Sequence, residues 1–161
     1  MKAKKYNITG EFSVESNIYG LDVHNKSAQA SSRIRIFKGS QDDKKFLCKV
    51  ADEIGTFKII IDDGSHIGEH IVKSFETLFP YLETNGVYVI EDTQTAYKGK
   101  SMNSQKDLDN DFNTVNYFKK FVHGLSYREF SGKTYNPSYW DLNIISIHFF
   151  HNLIFNFFIY I

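Results

Sequence analysis

Residues 57–95 read FKIIIDDGSHIGEHIVKSFETLFPYLETNGVYVIEDTQT, and the changes of pattern inside this stretch decide the fold. Lys58 to Ile61 is a short β-branched apolar run, the pattern of a strand buried on both faces. It stops at Asp62-Asp63-Gly64-Ser65-His66, where small and polar residues replace the apolar ones. The period then lengthens: Ile71, Phe75, Leu78, Phe79 and Leu82 recur at steps of three and four, one apolar face of a helix. Glu69 falls near the helix start, where the dipole favours a negative charge. Asn85-Gly86 signals a turn, and Val87 to Ile90 is a second buried strand that ends in Glu91-Asp92. Strand, helix and strand form a βαβ unit, and its crossover is expected to be right-handed.

Ligands of open parallel sheets bind outside the carboxyl ends of the strands. Asp62, Asp63 and His66 leave one such end, and Glu91 and Asp92 leave the other. Paired strands lie about 4.8 Å apart, so four carboxylates and an imidazole are expected on one small patch. A cation relieves that crowding, and hard oxygen ligands favour Mg²⁺ or Ca²⁺. A histidine beside a metal and an open crevice suits a general base at neutral pH. Each residue also has a plainer reading. Asp-Gly after a strand is a common turn, and Asp63 or Ser65 can cap the helix that follows.

The blocks IIIDDGSH, FETLFPYL and GVYVIEDTQTAY together resemble the macrocin O-methyltransferase group, class I S-adenosylmethionine-dependent enzymes that methylate sugar hydroxyls of macrolides. The resemblance runs from Ile18 to Asn156. It implies a Rossmann-like α/β class I methyltransferase sheet with helices on both faces and a C-terminal antiparallel hairpin. It implies that Asp63, Glu91 and Asp92 bind Mg²⁺ and that His66 is the base. It further implies S-adenosylmethionine contacts from Asp22, at the end of the Ile18–Val23 strand, from the loop residues Ser40, Gln41 and Asp42, and from Asp62. The residues themselves leave the cofactor contacts open. An acid in the place of Asp22 commonly holds ribose hydroxyls in nucleoside-binding folds, but an ordinary strand-end Asp reads as well. Residues 40–42 read equally as a polar turn capping the next helix.

The 161-residue length points to one domain. A net charge of zero gives no electrostatic case for nucleic acid or an anionic membrane. The single Cys48 excludes an internal disulfide and suits a reducing cytoplasm. No apolar segment follows the basic Met1–Lys5 stretch, so no signal peptide is read and a cytoplasmic location is expected. The expected partner is a small-molecule or glycan acceptor, and homo-oligomer formation is left open.

Around the centre, Met1 to Asn17 shows no period and reads as irregular. Arg33 to Phe37 alternates like an edge strand. Phe46, Leu47 and Val50 mark the inner face of a short helix ending before Gly55. Thr93 to Asp111 reads as a long mobile loop over the crevice, and Phe112, Val115, Phe118, Phe121, Val122 and Leu125 as a helical face. Leu142 to Ile161 is too interrupted by Asn143, Ser146, His148, His151, Asn152 and Asn156 for a membrane helix. Residues 144–149 and 153–155 read instead as an antiparallel hairpin, and Phe157 to Ile161 as an exposed, aggregation-prone tail.

Two rival readings complete the set. His66-Ile67-Gly68-Glu69-His70 matches H-x-x-E-H, the inverted zinc-protease signature. That signature needs both histidines on one helical face, and Gly68 is a poor helix former, so a zinc hydrolase is the minor alternative. The second concerns the start of the chain. The family places a strand and a Gly-rich loop ahead of the strand carrying Asp22, and a βαβ unit takes about thirty residues. Only Met1 to Asn17 precede that strand, with Gly10 as their one glycine. The chain is therefore expected to lack the unit, to be open in mid-sheet, and by itself to bind S-adenosylmethionine weakly with marginal stability. The alternative to an active O-methyltransferase is then an inactive fragment that keeps metal or partner binding.

Overall fold

The computed structural model describes residues 16–97, 113–130 and 134–159. The expectations for the first fifteen residues, for the loop beyond Tyr97, for Phe112 and for the last two residues lie outside them. The chain divides into two compact units, 1–39 and 40–161. In the first unit β1 (Ile18–Asp22) and β2 (Ile34–Lys38) pair in parallel, from Ile18 opposite Ile34 to Asp22 opposite Lys38. The polar stretch between them holds one 3-10 turn, Ser27–Gln29.

The second unit contains α1 (Lys44–Ile54), β3 (Phe57–Asp62), α2 (Gly68–Leu78), β4 (Leu82–Glu91), α3 (Thr114–Lys119), α4 (Tyr139–Asn143), β5 (Ile144–Phe150) and β6 (Leu153–Phe158). Its sheet runs β3-β4-β6-β5, with β3 and β4 parallel and the other neighbours antiparallel. Helix α1 begins at Asp43, whose carboxylate accepts the Phe46 N–H at 3.1 Å and satisfies an amide the helix cannot. It ends at Gly55, at φ +96°, where only glycine is unstrained.

Three expectations need correction. Strand β3 is not buried on both faces: Ile59 and Ile61 are 42% and 52% exposed, and among the described residues β4 is its one hydrogen-bonded neighbour. Successive side chains alternate across a strand, so Ile60 packs against the core while its neighbours face away. Asn85-Gly86 ends no element. It is a bulge inside β4, with Asn85 at φ +65° and the register against β3 shifting between Phe57 and Ile59. A Cβ on Gly86 would stand 2.7 Å from the Glu83 carbonyl oxygen, too close for any side chain. The start of the apolar tail belongs to the sheet: β6 runs to Phe158, which is buried with its ring centroid 5.3 Å from that of Phe79.

The third helical face is also shorter than its pattern. Phe118 is fully buried, but the chain tightens into a 3-10 segment, His123–Glu129, and Val122 and Leu125 are exposed. At three residues per turn the apolar stripe no longer tracks the core. The C-terminal hairpin is present as expected, with Asn152 at its turn in the left-handed region, φ +66°. Among the described residues no helix is long and apolar enough to cross a membrane.

Phe75 organises the core of this unit. Its ring stacks on Trp140 at 5.1 Å and meets Phe118 and Tyr88 edge-on at 4.7 and 5.1 Å. These contacts fasten α2 to β4, α3 and α4 at once, and such ring pairs add to the stabilisation from burial alone. Phe75→Ala should therefore lower the unfolding free energy by about 3–5 kcal/mol, while Ile59→Ala on the exposed face should stay within about 0.5 kcal/mol of the parent. Urea midpoints test this, and equal losses in the two variants would contradict it.

Candidate metal centre and base

The β3–β4 register sets the site. Ile61 lies opposite Val89 and Asp62 opposite Ile90, so the two chains leave the sheet level with one another. Asp63, His66 and Asp92 then each offer a ligand atom, all within 4.8 Å of one another. His66 Nε2 lies 3.9 Å from Asp63 Oδ1 and 3.7 Å from Asp92 Oδ2. Both His66 and Asp92 hold left-handed backbone, at φ +58° and +53°. Such conformations cost of order 1 kcal/mol or more and persist where surroundings impose them.

Those surroundings are visible. Thr95 Oγ1 lies 2.8 Å from the Asp92 carbonyl and 3.3 Å from the His66 carbonyl, so one hydroxyl ties the two strand-end turns. Gln94 Nε2 donates to Asp92 Oδ1 at 3.1 Å, which fixes that carboxylate and leaves Oδ2 toward His66. The Thr93 N–H donates to the Asn152 carbonyl at 3.3 Å and anchors the turn to the hairpin.

Burial pushes the Glu91 carboxyl up, and the Asp63 and Asp92 charges push it the same way, with His66 opposing. Glu91 thus feels both aspartates but is not one of the three that meet. The donor set is oxygen-rich and its acids repel one another, which fits a hard divalent cation. It does not fit the helical zinc pair. Helix α2 starts at Gly68, after His66, and His70 turns to Ser65 Oγ (3.0 Å from Nδ1) and Asp42 Oδ2 (3.6 Å from Nε2).

Two of the four expected acids, Asp63 and Asp92, meet at the patch; Glu91 stands outside the cluster, and the Asp62 carboxylate points inward. It accepts from Ser74 Oγ at 2.5 Å, Gln41 Nε2 at 3.1 Å, Tyr88 OH at 3.3 Å and the Gly64 N–H at 3.3 Å. Burial nevertheless holds its carboxyl above the usual range. Gln41 is committed to the same network, and its Oε1 accepts the Ser65 N–H at 2.5 Å. Ser40 Oγ donates to Asp42, which is the main reason the Asp42 carboxyl sits below its ordinary value. Asp22 belongs to the first unit, where its Oδ1 accepts the His24 N–H at 2.7 Å. Neither Asp63 nor Ser65 caps α2, whose N-cap is Ile67.

Sequence reasoning missed Ser74, Tyr88, Gln94 and Thr95. Ser74 carried a signal: it falls on the apolar face of α2, next to Phe75, where a polar group needs a buried partner.

No family model matches the chain. It is 39% identical over 146 residues to the mycinamicin VI 2''-O-methyltransferase of Micromonospora griseorubida, covering 89% of this chain and 36% of that protein. It is 39% identical over 141 residues to the demethylmacrocin O-methyltransferase of Streptomyces fradiae, covering 86% of this chain and 35% of that one. The solved structure of MycE methyltransferase from the mycinamycin biosynthetic pathway, in complex with Mg and SAH, matches with a TM-score of 0.78 at 39% identity, covering 87% of this chain and 36% of that one. The fold is therefore that of a class I methyltransferase. More narrowly, the chain is similar to macrocin- and mycinamicin-type sugar O-methyltransferases, and it spans 36% of the length of the first of them.

Raising the folded-state pKa of Asp62 has a definite sign. The fold favours its protonated form, so the associated stability is present below the unfolded value of 3.8 and is lost as pH rises through the folded value. Asp62→Asn cannot ionise, so its melting temperature should vary less than the parent's as pH rises from about 3.8 upward. Asp62→Ala leaves buried donors unmatched and should cost about 1–3 kcal/mol at any pH. Parallel pH profiles for the parent and the Asn variant would overturn this assignment.

Proposed function

We propose that this chain carries the metal- and base-bearing part of an S-adenosylmethionine-dependent, Mg²⁺-assisted O-methyltransferase acting on a sugar hydroxyl of a glycoside or glycan. The observation that carries the reading is the meeting of Asp63, His66 and Asp92 within 4.8 Å at the ends of two parallel strands. Support comes from the relatives. One solved MycE structure is a complex with Mg, SAH and mycinamycin VI, and another relative is a 2'-O-methyltransferase acting on a rhamnosyl tetracenomycin.

In this reading Asp63 and Asp92 would hold the ion, with Glu91, which feels both charges, as the third acid. When bound the ion supplies Lewis-acid polarisation and lowers the pKa of the acceptor hydroxyl. His66 Nε2 takes the hydroxyl proton as the oxygen attacks the methyl carbon; the new O–C bond forms while the S–C bond breaks. The Asp63 and Asp92 carboxylates, 3.9 and 3.7 Å from Nε2, stabilise the resulting imidazolium. Gln94 and Thr95 hold the Asp92 turn, so that orientation is set before reaction begins. Within the second unit, Ser40 and Asp42 are proposed contacts to S-adenosylmethionine; the same role for Asp22, in the first unit, rests on the resemblance alone. Gln41 and Asp62, engaged in internal hydrogen bonds, are assigned to holding the loop instead.

Titration calorimetry with Mg²⁺ or Mn²⁺ tests the ion site: Asp63→Ala and Asp92→Ala should each abolish measurable binding. His66→Ala should keep the ion yet slow methyl transfer by about two to four orders of magnitude, the usual weight of a positioned base. Parent-like affinity in both aspartate variants would contradict the site. Zn²⁺ that copurifies and is lost in His70→Ala would move the reading to a hydrolase.

A further inference from the structure

Residues 62–66 carry Asp63 and His66 on a turn, and something must hold that turn's backbone in one shape. Its own helix does not, because α2 begins two residues after His66 without a side-chain cap. Gln41, from the stretch that precedes α1, reaches across to it. Its Nε2 donates to Asp62 Oδ1 at 3.1 Å and Oδ2 at 3.3 Å, and its Oε1 accepts the Ser65 N–H at 2.5 Å. One planar amide thereby bridges the residue before Asp63 and the residue before His66.

Gly64, between those two points, lies against the same amide. A Cβ there would stand 1.9 Å from Gln41 Oε1, 2.7 Å from its Cδ and 3.2 Å from its Nε2, and these are its three nearest atoms. Gly64 is not in the left-handed region, so backbone conformation does not demand glycine. The space is taken instead by the Gln41 amide, which a methyl at Gly64 would push out of its place. The amide is itself referenced to the core, because Asp62 also accepts from the buried Ser74 and Tyr88 hydroxyls. On the far side, the Ser65 hydroxyl accepts the Ile67 N–H at 3.3 Å and lies 3.0 Å from His70 Nδ1.

We propose that Gln41 is a positioning residue that templates the 62–66 turn, and so sets the directions in which Asp63 and His66 project. The metal role of the turn rests on the function proposed above; the clamp itself rests on the contacts just described. Removing an outer partner of a metal ligand typically weakens ion binding about 10–100-fold, and the backbone N–H of Ser65 would lose its acceptor.

A double-mutant cycle on the 161-residue chain tests this, with Mn²⁺ as the titrant and amide hydrogen exchange and thermal melting as the other readouts. Gln41→Ala should weaken Mn²⁺ binding about 10–100-fold and speed exchange at the Ser65 amide, with the core amides of β4 still protected. Gly64→Ala alone should act much as Gln41→Ala does, because its methyl would displace the Gln41 amide from the turn. In the Gln41→Ala background the same Gly64→Ala change should add little. Additive losses, or Gln41→Ala with parent-like Mn²⁺ affinity and slow Ser65 exchange, would overturn the proposal. Asp63→Ala separates the two claims. If the parent binds no Mn²⁺, or Asp63→Ala binds it as the parent does, the metal reading fails, and Ser65 exchange with the cycle in melting temperature still decides the clamp.

Discussion

The parallel pairing of β3 with β4 is the constraint on which the rest depends. It places Asp62 opposite Ile90, so that Asp63 on one strand and Glu91-Asp92 on the other emerge at the same level. A one-residue slip would reverse the faces of every side chain in β3 and separate the acids. Parallel strands need a crossover, and α2 supplies it. The fit of Phe75 among Tyr88, Phe118 and Trp140 holds that crossover against the sheet. The core therefore fixes both ends of the turn that carries Asp63 and His66.

At that turn the structure concentrates unfavourable terms. Two of the three clustered residues have left-handed backbone, and burial, reinforced by the Asp63 and Asp92 charges, raises the Glu91 carboxyl. Polar staples hold this arrangement: Thr95 between the two turns, Gln94 on Asp92, Gln41 across residues 62 to 65. Strain gathered at one place and supported from several sides is the usual mark of a functional site. An ion that binds only the folded form would add stability by mass action.

Much of this was legible in the residues. The apolar run, the three-and-four spacing of Ile71, Phe75 and Leu78, and the acids after each strand give the βαβ unit and the patch because periodicity and strand ends are local properties. The C-terminal hairpin was legible from two apolar runs around Asn152. The apolar run of β3 did not show its edge position by itself; the expectation of a sheet open beside the Asp63 strand did, and among the described residues β3 pairs with β4 alone. The inward turn of Asp62 could have been read from parity: two residues after Ile60, it falls on the packed face. Asn85-Gly86 misled because a turn and a bulge use the same left-handed dipeptide chemistry. Gln41 was read with the loop residues proposed to touch cofactor, and its actual partners lie in a turn more than twenty residues away, a pairing no local pattern records.

Asp63 and Asp92, brought together by that strand pair with His66 beside them, are proposed to form a divalent-cation site. Anomalous diffraction from a crystal of the chain soaked in Mn²⁺ measures this most directly. One strong peak is expected between the Asp63 and Asp92 carboxylates, with Glu91 nearby. A peak centred instead on His70 and Asp42, or no peak at saturating Mn²⁺, would contradict it.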